Sequence, residues 1–176
     1  MKSDLEKAKN AEWKFVLFHQ PGFNSSKEHY EEQQMRLLSP IFEAGKVDVV
    51  FAGHVHNYQR SYPLTFKPNN QGVQLVNNDN KTPAGKIVIG EWRLDKEYNG
   101  SSNTHPNGVI YIITGAGGQD LYNQEQQADT DSWQKFTCKF ISQYHTFTQA
   151  NINNKILTIR QLNAEGKEVD KFIITH

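Results

Sequence analysis

The sequence has little of three features that often indicate a functional class. It contains one cysteine, Cys138, in 176 residues, so an internal disulfide is excluded. It has no apolar run near the roughly 20 residues that a membrane-spanning helix needs. Basic and acidic residues balance at 19 each, so no excess charge favours nucleic acid or an anionic membrane. We therefore expect neither partner, and we interpret Cys138 as a small buried hydrophobe.

Short apolar segments in the first fifty residues predict part of a parallel sheet. Residues 13–18 (WKFVLF) and 47–52, which include VDVVF, have the length and composition of buried strands. Between them, residues 28–45 carry apolar side chains at helical spacing. Ser39 and Pro40 interrupt that segment, with Ser39 as a candidate N-cap and Pro40 as the first residue of a new short helix. The order strand, helix, strand predicts a βαβ unit.

The remainder of the chain changes in character. Residues 65–107 are polar and rich in Asn, Gly and Pro, with one short strand predicted from Lys86 to Trp92. Residues 109–114 (VIYIIT) predict a further strand, which a glycine-rich turn ends. Three β-rich segments follow, separated by turn residues typical of hairpins, at residues 144–152, 156–162 and 169–175. The sequence thus predicts an α/β domain that ends in antiparallel hairpin strands.

Three of the seven histidines follow predicted strands directly. His19 comes after the first strand, and His54 and His56 come after the second, with Gly53 allowing a close backbone approach. Because the carboxyl ends of parallel strands share one edge of a sheet, we expect the three imidazoles to converge on one cavity. Imidazole is a common ligand of zinc, iron and manganese. These histidines are therefore candidate metal ligands.

The histidine segments also resemble a known family. The stretch VLFHQPGFNSS, followed by GHVHNYQR and later by GVIYIITGAGG, resembles the calcineurin-like metallophosphoesterases, and within them the purple acid phosphatase branch. The resemblance covers nearly the whole chain. It implies the C-terminal half of a metallophosphoesterase β-sandwich flanked by helices.

The resemblance also implies roles for individual residues. His19 and His54 would bind one metal, and His56 would bind the other. His29 matches a histidine that faces the substrate phosphate, although a solvated position at a helix start is the alternative, and Glu32 is placed to orient it. For Tyr58 and Arg60, support of the metal-binding loop is the favoured interpretation.

Other motifs of the family do not occur in this sequence. There is no Gly-Asp, no Gly-Asn and no Asp-x-His or Asp-x-Gly, so the bridging carboxylate of a two-metal site is missing. We therefore expect residues 1–176 to be the C-terminal portion of a phosphoesterase domain whose N-terminal half is absent. The intact enzyme would hold two divalent or mixed-valence ions of iron, zinc or manganese, and this fragment at most one, weakly.

The sequence is compatible with two functions. The first is part of a two-metal phosphatase, with phosphomonoesters favoured, that hydrolyses phosphate esters by attack of metal-bound hydroxide. The second is a truncated or metal-free relative that acts as a binding or structural module. The expected partners are a phosphate ester, the missing N-terminal half and, through an exposed sheet edge, a second copy of the chain. The resemblance favours an exported or periplasmic location.

Overall fold

The computed structural model describes residues 1–69, 75 and 87–176, and within them the chain forms two α-helices and ten β-strands. The helices are α1 (Lys2–Lys7) and α2 (Ser39–Ala44). The strands are β1 (Phe15–Phe18), β2 (Val49–Ala52), β3 (Tyr58–Ser61), β4 (Leu64–Pro68), β5 (Gly90–Leu94), β6 (Ile110–Thr114), β7 (Thr137–Ile141), β8 (Thr146–Asn153), β9 (Ile156–Asn163) and β10 (Glu168–Thr175). In this part of the chain, neither helix has the length and apolar character needed to cross a membrane.

The main sheet has five strands in the order β1-β2-β6-β3-β7. Strands β1, β2 and β6 run parallel, as predicted for the first two, whereas β3 runs antiparallel to both β6 and β7. The carboxyl ends of the three parallel strands therefore meet at one edge. His19, Gly53 and Gly115 each lie directly after one of these strands.

A second sheet, in the order β10-β9-β8, packs on one face of the main sheet. Its two antiparallel pairings confirm the predicted hairpins at the end of the chain. The core between the sheets contains Val49 and Ile112 from the main sheet and Leu157, Ile159 and Phe172 from the second sheet. Another apolar core covers the opposite face of the main sheet, beneath α2 and the β4–β5 pair. The predicted α/β sandwich with an antiparallel end is confirmed.

Several local predictions need correction. Strands β3, β4 and β7 were not predicted, and the strand expected from Lys86 to Trp92 is Gly90–Leu94, with Lys86 outside the described residues. Ser39 is the first helical residue of α2 rather than its cap. Cys138, on the edge strand β7, is only partly buried rather than buried as predicted.

Candidate metal centre

Two of the predicted ligands meet at the carboxyl edge of the main sheet. Nδ1 of His54 lies 3.1 Å from Nε2 of His19. This contact follows from the parallel pairing of β1 with β2, which places Phe18 opposite Ala52 just before the two histidines. Two nitrogen ligands of one tetrahedral cation, each about 2.0–2.1 Å from it, are separated by about 3.4 Å. The pair therefore fits one metal ion.

Glu32 joins His54 to His29. Its Oε2 atom lies 2.9 Å from Nε2 of His54, and its Oε1 atom lies 2.9 Å from Nδ1 of His29. The rings of His29 and His54 have centroids 4.0 Å apart. All three side chains are partly buried. The carboxylate therefore contacts both the candidate metal ligand and the candidate acid.

The backbone at two of these histidines is in the left-handed region. The φ angle is 57° at His29 and 63° at His54. For a residue with a Cβ atom this conformation is uncommon and unfavourable, and it persists only where the surrounding structure imposes it. At His29 it belongs to a turn, residues 28–31, rather than to the helix start considered from the sequence. At His54 it turns the chain directly after β2.

The surroundings favour a neutral His54 beside an ionised Glu32. Partial burial lowers the pKa of His54, and the neighbouring His29 adds to this effect, while Glu32 opposes it. For Glu32, partial burial would raise the pKa, but hydrogen bonds from His29 and Gln20 outweigh burial and lower it. A neutral imidazole is the form that binds a metal. The pKa directions are thus those that a cation site requires.

His56 occupies a separate position in the same loop. Its Nδ1 atom lies 3.0 Å from the backbone oxygen of Asp120, and its ring stacks on Tyr122 at a centroid distance of 4.1 Å. A carbonyl oxygen only accepts hydrogen bonds, so the neutral His56 ring carries its proton on Nδ1 and its lone pair on Nε2. The ring of Tyr122 also lies 5.8 Å from that of His29. Tyr122 thus lies between His56 and the other histidines.

Gly115 allows two segments of backbone to meet under this loop. A Cβ atom at Gly115 would lie 2.1 Å from the carbonyl oxygen of Val55, the residue between His54 and His56. At Gly53 the nearest atom to an added Cβ is Nδ1 of His19 at 3.7 Å, which is an ordinary contact. The close approach expected at Gly53 is therefore found at Gly115 instead.

We expect Gly115→Ala to lower the free energy of unfolding by about 1–3 kcal/mol, because a backbone carbonyl cannot move away cheaply. It should also weaken metal binding, since Val55 would shift the histidines on either side. Gly117→Ala is the matched control, because no atom lies within 4 Å of a Cβ added there. Urea unfolding of the two variants checks the prediction, and equal stabilities would contradict it.

Tyr58 and Arg60, which follow the histidine loop on β3, bond to the second sheet. Tyr58 Oη donates to Asp170 Oδ2 at 2.8 Å, and Arg60 donates to both oxygens of Asp170 at 2.8 and 3.1 Å. The Arg60 guanidinium also lies 4.6 Å from the centroid of the Phe172 ring. These contacts connect β3 to β10 rather than to the histidines, and the role of Tyr58 and Arg60 in supporting the metal-binding loop stays a prediction.

Sequence reasoning missed two contacts of the site. The spacing of Glu32 from His29 indicated that these two could meet, but nothing local indicated that Glu32 also reaches His54. Asp120 and Tyr122 lie in a polar loop that carried no motif, and only the fold brings them against His56. The roles predicted for His19, His29, His54 and His56 stay predictions, although the geometry suits them.

Comparison with known proteins agrees with the resemblance. A family model described as calcineurin-like phosphoesterase matches residues 1–58. Purple acid phosphatase 19 of Arabidopsis thaliana is 46% identical over 94 residues, which cover 50% of this chain and 24% of that protein. The purple acid phosphatase of Glycine max is 40% identical over 101 residues, covering 52% of this chain and 21% of that protein. The chain thus matches only about a fifth of the length of such relatives.

Solved structures show the same fold. A purple acid phosphatase from yellow lupin seeds has a TM-score of 0.66 at 18% identity, over 99% of this chain and 27% of that one. GAP50, described as the anchor in the inner membrane complex of Plasmodium, has a TM-score of 0.59 at 15% identity, over 99% of this chain and 40% of that one. At these identities the likeness concerns the fold alone.

Proposed function

We propose that this chain, which belongs to the calcineurin-like phosphoesterases of the purple acid phosphatase branch, supplies metal ligands and the general acid of a two-metal phosphatase. The observation that carries the proposal is the 3.1 Å contact between His19 Nε2 and His54 Nδ1 at the ends of adjacent parallel strands. Family membership implies metal ions. The proposal further includes two metal ions, attack by hydroxide and phosphomonoester substrates.

In this proposal His19 and His54 hold one cation. Nδ1 of His54 faces His19, so the proton of the neutral His54 ring lies on Nε2 and is donated to Glu32. A carboxylate that accepts the second ring proton of a metal-binding histidine fixes its tautomer and orientation. Glu32 therefore positions His54 as well as His29.

His56 contributes to the second cation through Nε2, the nitrogen that its hydrogen bond to Asp120 leaves without a proton. Two bound cations of iron, zinc or manganese would stabilise charge on the phosphate oxygens and make hydroxide available near neutral pH. The Glu32 carboxylate contacts Nδ1 of His29 at 2.9 Å and orients that ring. His29 can then give its proton to the leaving alkoxide.

The remaining ligands come, in our proposal, from an N-terminal half of the same domain in a longer protein. Such a half would also cover the edge of the main sheet that β1 forms. Within the described residues, β1 pairs with one strand, β2. Leu17 on that strand is 73% exposed. A second copy of this chain is the other occupant that such an edge admits. Export stays a prediction.

The alternative function is a non-catalytic module. The observation in its favour is the scarcity of carboxylates among the candidate metal ligands of the described residues. In the described residues, one group of three or more His, Cys, Asp or Glu side chains could hold a metal, and it contains one carboxylate, that of Glu32. Metal content of the longer protein separates the two functions, because a module predicts none.

The direct test compares the 176-residue chain with the longer protein. Two cations close together repel strongly unless carboxylates neutralise them. We therefore expect the chain alone to bind at most one metal and not to hydrolyse an aryl phosphate, whereas the longer protein binds two and does. Metal analysis and an aryl-phosphate assay on both proteins provide the measurement. Similar rates from the two proteins would show that the chain is not part of a shared site.

A further inference from the structure

His29, Glu32 and His54 form a group whose ligand atoms all lie within 4.8 Å of one another. We propose that this group is itself a cation site, distinct from the one assigned to His19 and His54, and that it takes a borderline divalent cation such as Zn²⁺. The site uses the opposite nitrogen of the same His54 ring, the Nε2 atom that faces Glu32.

The donor set suits zinc. Two imidazoles and one carboxylate, with water in the fourth position, are a common tetrahedral zinc environment. The Glu32 oxygens now lie 2.9 Å from the nitrogens of both histidines. Ligands of a tetrahedral zinc lie about 3.3–3.4 Å apart. The ligand atoms of the three residues already lie within 4.8 Å of one another, and they would adjust to that spacing when a cation binds.

The two sites exclude each other through one imidazole ring. A neutral His54 has one lone pair and one proton. With a cation on Nε2, the proton lies on Nδ1 and is donated to His19 Nε2, 3.1 Å away. With a cation on Nδ1, the proton lies on Nε2 and is donated to Glu32, 2.9 Å away. Both arrangements satisfy every atom of the ring, so either tautomer is compatible with this structure.

Charge decides between them in this chain. The His19–His54 pair offers only imidazole nitrogens, whereas the His29–Glu32–His54 group includes a carboxylate. A divalent cation is attracted more strongly to the group with the negative charge. Among the described residues, it is also the one place where three possible metal ligands lie close together. The first cation bound by the chain therefore occupies this group.

The test is zinc titration of the 176-residue chain by calorimetry, with Co²⁺ absorbance as a second signal for tetrahedral coordination. We expect one Zn²⁺ per chain. Glu32→Gln keeps the shape of the side chain and removes its charge, and it should weaken binding by at least about tenfold. Glu31→Gln is the matched control, because it makes the same change in net charge at an exposed neighbouring residue. It should leave the affinity nearly unchanged.

His19→Ala distinguishes a cation on Nδ1 of His54, which faces His19, from a cation on Nε2, which faces Glu32. Retained zinc affinity in His19→Ala, with loss in Glu32→Gln and in His29→Gln, supports the proposed site. Loss in His19→Ala with no loss in Glu32→Gln assigns the cation to the His19–His54 pair and overturns the proposal. Absence of zinc binding by the unmodified chain overturns it too. Circular dichroism confirms that each variant is folded, and no phosphate ester is used, so the proposed hydrolysis is tested separately.

Discussion

Replacing His54 by alanine in the longer protein is expected to lower kcat/KM for an aryl phosphate by about 10²–10⁴-fold, because a metal ion contributes several kcal/mol of charge stabilisation and each 1.36 kcal/mol is a factor of ten. The change removes the nitrogen that faces His19 at 3.1 Å and the nitrogen that bonds to Glu32. It therefore empties one cation site and loosens the carboxylate that orients His29.

Metal content and initial rates, measured on the same preparations, check this prediction. His105→Ala is the control, because His105 is an exposed imidazole whose ring contacts Thr175 rather than the site. His56→Ala should also remove most of the activity by emptying the other cation site. The assignment fails if His54→Ala keeps both metal ions, or keeps activity close to that of His105→Ala.

Replacing Asp170 by alanine is expected to lower the free energy of unfolding by about 3–5 kcal/mol, the usual cost of removing one partner from a buried ion pair. The side chains of Arg60 and Asp170 are each 8% exposed. Without the carboxylate, the Arg60 cation and the Tyr58 hydroxyl lose their acceptor inside the sandwich. Because Arg60 lies just after the metal-binding loop, metal affinity should fall as well.

Glu168→Ala is the matched control, two residues away on the same strand. Its partner Arg160 lies at 3.4 Å, and the two side chains are 42% and 46% exposed. Exposed pairs contribute about 0–1 kcal/mol. Urea unfolding at neutral pH should therefore separate the two variants clearly. Equal losses would mean that the Arg60–Asp170 pair adds no more than a surface pair.

The contribution of Asp170 should also depend on pH. Burial opposes its ionisation, but hydrogen bonds and charge from Arg60 outweigh burial and hold the pKa of Asp170 below its ordinary value. A carboxyl whose pKa is lower in the folded state stabilises the fold fully above its unfolded pKa of about 3.9 and loses that effect as the pH falls through the folded value. The difference between the unmodified chain and Asp170→Ala should shrink over that acidic range.

The sequence by itself determined the parallel strands β1 and β2 and the edge of the sheet at which the candidate site lies. Short apolar runs before His19 and before Gly53 predict strands, and these strands are β1 and β2. The hairpins from β8 to β10 were likewise marked by turn residues between β-rich segments. The sequence was sufficient to predict these strands because apolar runs and turn residues are signals that lie within the strand or turn itself.

Only the tertiary structure decided which side chains complete the site. Strand β3 is polar in sequence, yet its residues are buried because Gln59 and Arg60 find partners far along the chain, in Asn24 and Asp170. In the same way Glu32 reaches His54 across 22 positions, and Asp120 fixes His56 across 64. Such pairs carry no local signal, because a buried polar group is stabilised by whichever partner the fold places beside it.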